Sequence, residues 1–210
     1  MTADWIDVQI RTHLDAGEVL GLLDDSCVPG AWEDGRTIHL YWPSHQWTSD
    51  HLAHATTSLL LEWLEEDIRG GESVLDVGAG SGLLGMVALR LGAARVTGID
   101  NDPDAIECAR GYAADNGFGP ELALQCGTLT AGLDSFEMVL ANLDRRTLLD
   151  LAEPLAASTG RTLLVSGILA DQRAEVVAAF AHVSLYPGRQ REREGWLAME
   201  FHHAQSCEGA

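Results

Sequence analysis

Apolar and polar residues change rhythm several times along the chain. Over residues 5 to 24, Ile6, Ile10, Leu14, Val19 and Leu22 recur at helical spacing, which predicts a helix bent near Gly17 and Gly21. Asp34-Gly35 then lies between Ala31-Trp32 and the apolar run Thr37 to Trp42. That is a hairpin signal, because a type I′ turn needs positive φ at both central residues. Beyond a polar and aromatic stretch at 44–51, Leu52, Leu59, Leu60, Trp63 and Leu64 share one face of a helix predicted over 52–67 and ended by Gly70-Gly71.

From residue 73 the rhythm alternates. Val74 to Val77 reads as a short strand, 81–91 as a helix stopped at Gly92, and Arg95 to Ile99 as a strand. Asp102 can cap the next helix, with Pro103 in its first turn and Asn116-Gly117 at its end. Strands are expected at 121–125, 136–141 and 161–166, with helices at 147–157 and 170–181. Two final strands near 182–186 and 195–202 have no helix between them and should pair antiparallel. Strands separated by helices of this length imply an α/β fold, with a mostly parallel sheet and helices on both faces. No internal repeat is present, and the tail 205–210 is expected to be loose.

Composition narrows the partners. The chain of 210 residues carries 32 acidic and 13 basic residues, a net charge of -19, and all its cations are Arg. Such a surface disfavours extended contact with nucleic acid backbones and suits cationic or neutral partners. No apolar run is long enough for a membrane helix, and the first residues lack a signal-peptide pattern, so the expectation is a cytoplasmic protein away from membranes. Cys27, Cys108, Cys126 and Cys207 stand too far apart for metal or redox motifs and read as reduced structural thiols; no metal site is expected.

The strongest chemical signal is Val74 to Gly82, which leaves a strand through Gly78, Gly80 and Gly82 and enters a helix. Glycines at every second residue let a ligand approach the backbone at the carboxyl ends of the strands. A dinucleotide motif counted from Gly78 fails at Leu83, but counted from Gly80 it is met by Gly82 and Gly85. Two acids argue for a different ligand. Asp76 stands where it would meet a cationic amino group and repel a pyrophosphate, and Asp100 ends the second strand where it would hold a ribose. A cofactor with an amino-acid end and a nucleoside end, S-adenosyl-L-methionine, fits both.

Val74 to Gly82, Gly98 to Pro103 and Val139 to Leu143 resemble the class I methyltransferases, whose fold is a Rossmann-like, mostly parallel seven-stranded sheet with an antiparallel last strand. Three further segments resemble the PrmA-like family of ribosomal-protein methyltransferases: His54-Ala55-Thr56-Thr57, Ser166-Gly167-Ile168-Leu169 with Gln172, and Glu194-Gly195-Trp196. The resemblance spans about residues 52 to 202. It implies cofactor contacts from Thr57, Gly78, Asp100 and Asn142, to which the loop residues Asp76, Gly80 and Gly82 and the neighbouring Asn101 and Thr128 are added. It also implies a catalytic domain over 51–204; the helix-and-hairpin extension at 1–50, read from its own pattern, is expected to be a lid or substrate region.

Departures from the family bear on the substrate. Asp50-His51-Leu52-Ala53 stands where the family has a glycine-rich lid. Cys126-Gly127-Thr128 offers no acid for the adenine amino group, which leaves Thr128 or backbone to read it. About 50 residues precede the His54 motif, short for the family's separate substrate domain. The expected reaction moves a methyl group to a nitrogen, either of a small molecule or of a protein (a lysine or N-terminal amine). An amine nucleophile must arrive neutral and in line. Asn142, Asp144 and His51 are the candidate catalytic residues, with His45 and His54 as further bases and Trp42, Trp47 and Trp196 as possible pocket walls. The competing readings are an NAD-linked oxidoreductase and a non-catalytic cofactor-binding protein.

Overall fold

The computed structural model describes residues 5–11, 30–34, 37–43, 49–130, 134–193 and 195–204. The predicted sheet forms from the short apolar runs. Strands β4 (Ser73–Val77), β5 (Arg95–Asp100), β6 (Leu122–Cys126), β7 (Phe136–Asn142), β8 (Thr159–Leu169), β9 (Leu185–Arg193) and β10 (Trp196–His203) make one seven-stranded sheet in the order β6-β5-β4-β7-β8-β10-β9. The pairs from β6 through β8 are parallel, and β10 is antiparallel to both β8 and β9. The last strand alone runs against the others, as expected.

Alternating side chains feed two cores. Val74, Val96, Met138, Leu140 and Leu164 face one layer, against helices α1 (Ser49–Asp67) and α2 (Leu83–Arg90) and the end of α3 (Pro103–Asp115). Leu75, Val77, Ile99, Val139 and Val165 face the other, against α4 (Arg145–Asp150), α5 (Ala152–Ser158) and α6 (Arg173–His182). Leu59, Leu60, Trp63 and Leu64 are buried on α1 as the pattern predicts. Burial of a side chain of this size contributes about 1.5 to 3 kcal/mol. Phe180 and Phe201 close the second core with ring centroids 4.7 Å apart.

Several boundaries differ. Residues Trp5–Arg11 form a strand, β1, instead of the start of a helix; the remainder of that predicted helix lies outside the described residues. Ile6, Val8 and Ile10 also alternate with period two, and pairing with β3 (Thr37–Pro43) decides between the periods. β2 (Gly30–Asp34) completes a small antiparallel sheet of order β1-β3-β2. Asp34 pairs with Thr37, so the two-residue connection is 35–36, one residue later than predicted and outside the described residues. β1 lies along α1.

The single helix expected over 147–157 is two helices, α4 and α5, broken at Leu151. Pro154 has no N–H for the Asp150 carbonyl and its ring crowds that group, so the helix restarts. A 3₁₀ turn at Ala170–Gln172 precedes α6. β9 starts later and runs farther than predicted, because its polar outer half is held by β10 and by ion pairs to α1. The tail 205–210 lies outside the described residues. Among the described residues no helix is long and apolar enough to cross a membrane.

Candidate functional site

A cleft of about 390 Å³ opens over the carboxyl ends of β4, β5, β6 and β7. Val77, Gly78, Asp100, Asn101, Gly127 and Thr128 line one side; Leu143, Thr147, Asp150 and Leu151 close the other. The volume is within the usual range for a site that takes one small molecule. Gly78, Asp100, Asn101 and Thr128 were expected there. Leu143, Thr147 and Asp150 were not, because nothing local marks a helix flank that tertiary packing turns toward the cleft.

The glycine loop is bound to the end of β5. The amides of Gly78 and Ala79 both donate to the Ile99 carbonyl, at 2.8 and 3.1 Å, and Gly82 donates to Ala79 at 2.8 Å. Gly80 donates to Asp100 Oδ2 at 2.9 Å, while Asp102 donates to Asp100 Oδ1 at 3.0 Å. Asp100 therefore sets the loop and the start of α3 before any ligand arrives, and its remaining lone pairs can accept from ribose hydroxyls. Gly78 has φ +72°, and a Cβ there would strike the Leu143 side chain. Gly82, the N-terminal cap of α2, is buried against Ala109 rather than placed in the cleft lining.

Asp76 departs from its expected place. It stands two residues after Val74 and so shares that residue's face of the sheet, opposite to Leu75 and Val77; this is the face covered by α2. It is 1% exposed, does not line the cleft, and accepts from the Gly85 amide at 3.2 Å. Its Oδ1 is buried without a hydrogen-bond partner. Burial, reinforced by the nearby Asp100 carboxylate and opposed by the Gly85 amide, pushes the carboxyl up to about 7. An acid so placed does not repel a pyrophosphate in the cleft. The case against a dinucleotide rests instead on the loop amides. A phosphate cradle needs free N–H groups, and those of Gly78, Ala79, Gly80 and Gly82 already have acceptors within the chain.

At the end of β7, Asn142 Nδ2 donates to Thr57 Oγ1 at 2.8 Å, joining two residues 85 apart in sequence. Thr57 keeps its hydroxyl proton to donate, and Asn142 keeps its carbonyl oxygen as an acceptor. The Ser166 carbonyl receives the Leu143 amide at 3.1 Å. Gly167, at φ +89°, lies so close that a Cβ would meet the Leu143 carbonyl at 2.5 Å. The Ser-Gly of the Ser166 segment thus seats the turn after Asn142.

Asp144 caps α4. It accepts from the amides of Arg146 and Thr147, at 2.8 and 3.2 Å, and from the Thr147 hydroxyl at 2.5 Å. The Thr147 hydroxyl, with the two amides and Arg146, holds this carboxyl below the usual range against mild desolvation, which makes it a poor base. His51 and His54 lie on α1 and Trp42 lies on β3 opposite Ile6, but their side chains are outside the described residues, as are His45 and Trp47. Trp196 begins β10 opposite Leu169. Cys108 and Cys126 are free and exposed, so they do not build the core; Cys27 and Cys207 lie outside the described residues. Among the described residues no group of three His, Cys, Asp or Glu gathers as a metal site.

The model of the family "Ribosomal protein L11 methyltransferase (PrmA)" matches residues 53–204. Two curated proteins named ribosomal protein L11 methyltransferase are similar. That of Pseudomonas aeruginosa is 44% identical over 149 residues, covering 69% of this chain and 49% of its own. That of Thiobacillus denitrificans is 39% identical over 149 residues, covering 70% and 49%. The chain thus spans about half the length of the curated relatives it matches. A solved structure of ribosomal protein L11 methylase from Lactobacillus delbrueckii subsp. bulgaricus superposes with a TM-score of 0.68 at 28% identity, over 72% of this chain and 80% of that one.

Proposed function

The chain belongs to the ribosomal protein L11 methyltransferase (PrmA) family, and on that premise we propose that it is an S-adenosyl-L-methionine-dependent methyltransferase whose acceptor is a nitrogen of a protein. The observation that carries the reading is the pair formed by Asn142 and Thr57 beside a cleft that contains Asp100. The Asp100 carboxylate suits the ribose, and the apolar walls Ile99, Leu129 and Leu143 suit the adenine, with Thr128 at its edge. The proton left on Thr57 suits the cofactor carboxylate. When bound, S-adenosyl-L-methionine supplies a methyl carbon on a cationic sulfur that is already a good leaving group.

The chain's own residues then have a limited task. Thr57 orients the Asn142 amide, and the Asn142 carbonyl oxygen accepts an N–H of the incoming amine, aiming its lone pair. Leu143, seated by Gly167, forms an apolar wall of the cleft. Asp144 is committed to capping α4 and is a poor base, so a neutral amine delivered in line is what this arrangement serves.

The names of the relatives support a protein acceptor over a small molecule. Lysine and N-terminal amines are the protein nitrogens that fit this chemistry, and such an enzyme acts in the cytoplasm. Residues 51–204 are proposed as the catalytic domain, and the hairpin-bearing segment 1–50 as the lid or substrate region. The remaining cofactor assignments, Asn101 at the ribose and Gly80 and Gly82 shaping the loop, belong to the same proposal, with Asp76 acting only from beneath that loop. The test is calorimetric titration with S-adenosylhomocysteine, with NAD as control. Binding of the first alone, followed by transfer of labelled methyl to a protein acceptor, is the expected result. Binding of NAD alone, or of neither, refutes the proposal.

A further inference from the structure

β9 carries Arg189, Arg191 and Arg193 at alternate positions, so their side chains share one face, and that face lies on α1. Arg189 donates to Asp67 at 2.6 Å and to Glu200 at 2.8 and 2.9 Å. Arg191 grips Glu66 with two contacts of 2.7 Å and reaches Glu62 at 3.4 Å. Both guanidiniums lie over the Trp63 ring, at 5.6 and 5.4 Å. Arg193 is the last rung. Its Nη2 donates to Glu62 Oε1 at 2.8 Å and its Nη1 donates to Ser58 Oγ at 3.1 Å.

The last rung differs from the others in what it holds. Glu62 and Ser58 are four residues apart, so one guanidinium spans one turn of α1. Ser58 is fully buried, and its neighbour Thr57 receives the Asn142 amide at 2.8 Å. An exposed ion pair contributes little, but here a rigid planar fork ties a buried hydroxyl and a carboxylate together. Asp67, held by Arg189, is ten residues from Thr57 and outside that turn.

We infer that Arg193 is a positioning residue for the cleft: by holding Ser58 and Glu62 it fixes the turn of α1 that presents Thr57, and through Thr57 the amide of Asn142. This inference rests on the methyltransferase reading of the site. Arg acts here at a distance, through its partners, and touches neither cofactor nor acceptor. Lys in its place would offer a point charge without the fork.

The experiment is calorimetric titration of S-adenosylhomocysteine into wild type, Arg193→Gln, Arg189→Gln, Thr57→Ala and the double variant Arg193→Gln/Thr57→Ala, with a thermal midpoint for each. Arg193→Gln is expected to weaken binding about five- to tenfold, the size of coupling usual within one hydrogen-bonded network. Arg189→Gln should lower the midpoint and leave affinity within about twofold. The double variant should bind no more weakly than Thr57→Ala, because a hydroxyl that is gone needs no positioning. Wild-type affinity in Arg193→Gln overturns the inference, as does an equal loss in Arg189→Gln or a double variant whose loss is the product of the singles. If Arg193→Gln does not fold, Ser58→Ala decides: a loss of affinity with a native midpoint supports the role, and unchanged affinity overturns it. Absence of binding by wild type refutes the methyltransferase reading itself, and the inference falls with it.

Discussion

Asp76→Asn takes the charge from the carboxyl beneath the glycine loop and keeps its size. In the unfolded chain this group titrates near 3.8; in the fold, burial with a single amide donor pushes it up to about 7. Between those values the native protein holds a proton that the unfolded chain has released. Stability therefore falls as pH rises through this window and levels off above the folded value. A shift of about three units corresponds to about 4 kcal/mol on the alkaline plateau. Asn pays no such charge penalty, and its Oδ1 can still accept from Gly85. Its stability relative to wild type should grow by roughly 2 to 3 kcal/mol between about pH 5 and about pH 8. The unpartnered amide of Asn stands where a protonated carboxyl would leave its hydroxyl, so the slope rather than the absolute difference is the readout. Urea unfolding at both pH values, followed by circular dichroism, measures it. Parallel stability profiles for the two proteins would show that Asp76 is ionised in the fold at neutral pH, and the argument from burial would be refuted.

Gly78→Ala places a methyl group against Leu143 at φ +72°; stability should drop by about 1 to 2 kcal/mol from the backbone alone, and S-adenosylhomocysteine should bind at least tenfold more weakly. Normal affinity in that variant would remove Gly78 from the cleft wall. Asp100→Ala deletes the acceptor of two loop amides as well as the proposed ribose contacts, so it should cost about 1 to 3 kcal/mol of stability and abolish measurable titration heat. Unchanged affinity would refute its role. Asn142→Ala should slow labelled methyl transfer about tenfold or more while the thermal midpoint moves little. An unaltered rate would leave Asn142 as a partner of Thr57 and nothing more.

Much of this protein was legible in the chain because the signals are local. Short apolar runs separated by helical stretches determined the parallel sheet and its layers. Asp102 and Pro103 announced the start of α3, where the Asp102 carboxylate accepts from Asp104 at 2.9 Å. The glycine loop, Asp100 and Asn142 announced the cleft, since turns and strand ends are written in short motifs. Elsewhere one sequence allowed two answers. Ile6 and Ile10 satisfy both helical and strand periods, and only pairing with β3 chose the strand. The polar end of β9 carries little strand signal of its own; β10 and the acids of α1 supply the partners that hold it. Asp76 and Asp100 both lie by the glycine loop, yet one is sealed under α2 while the other lines the cleft. Sequence determines the alternation of side chains along a strand, but which face is covered, and so which carboxylate meets a ligand and which meets a helix, is decided only when the layers pack.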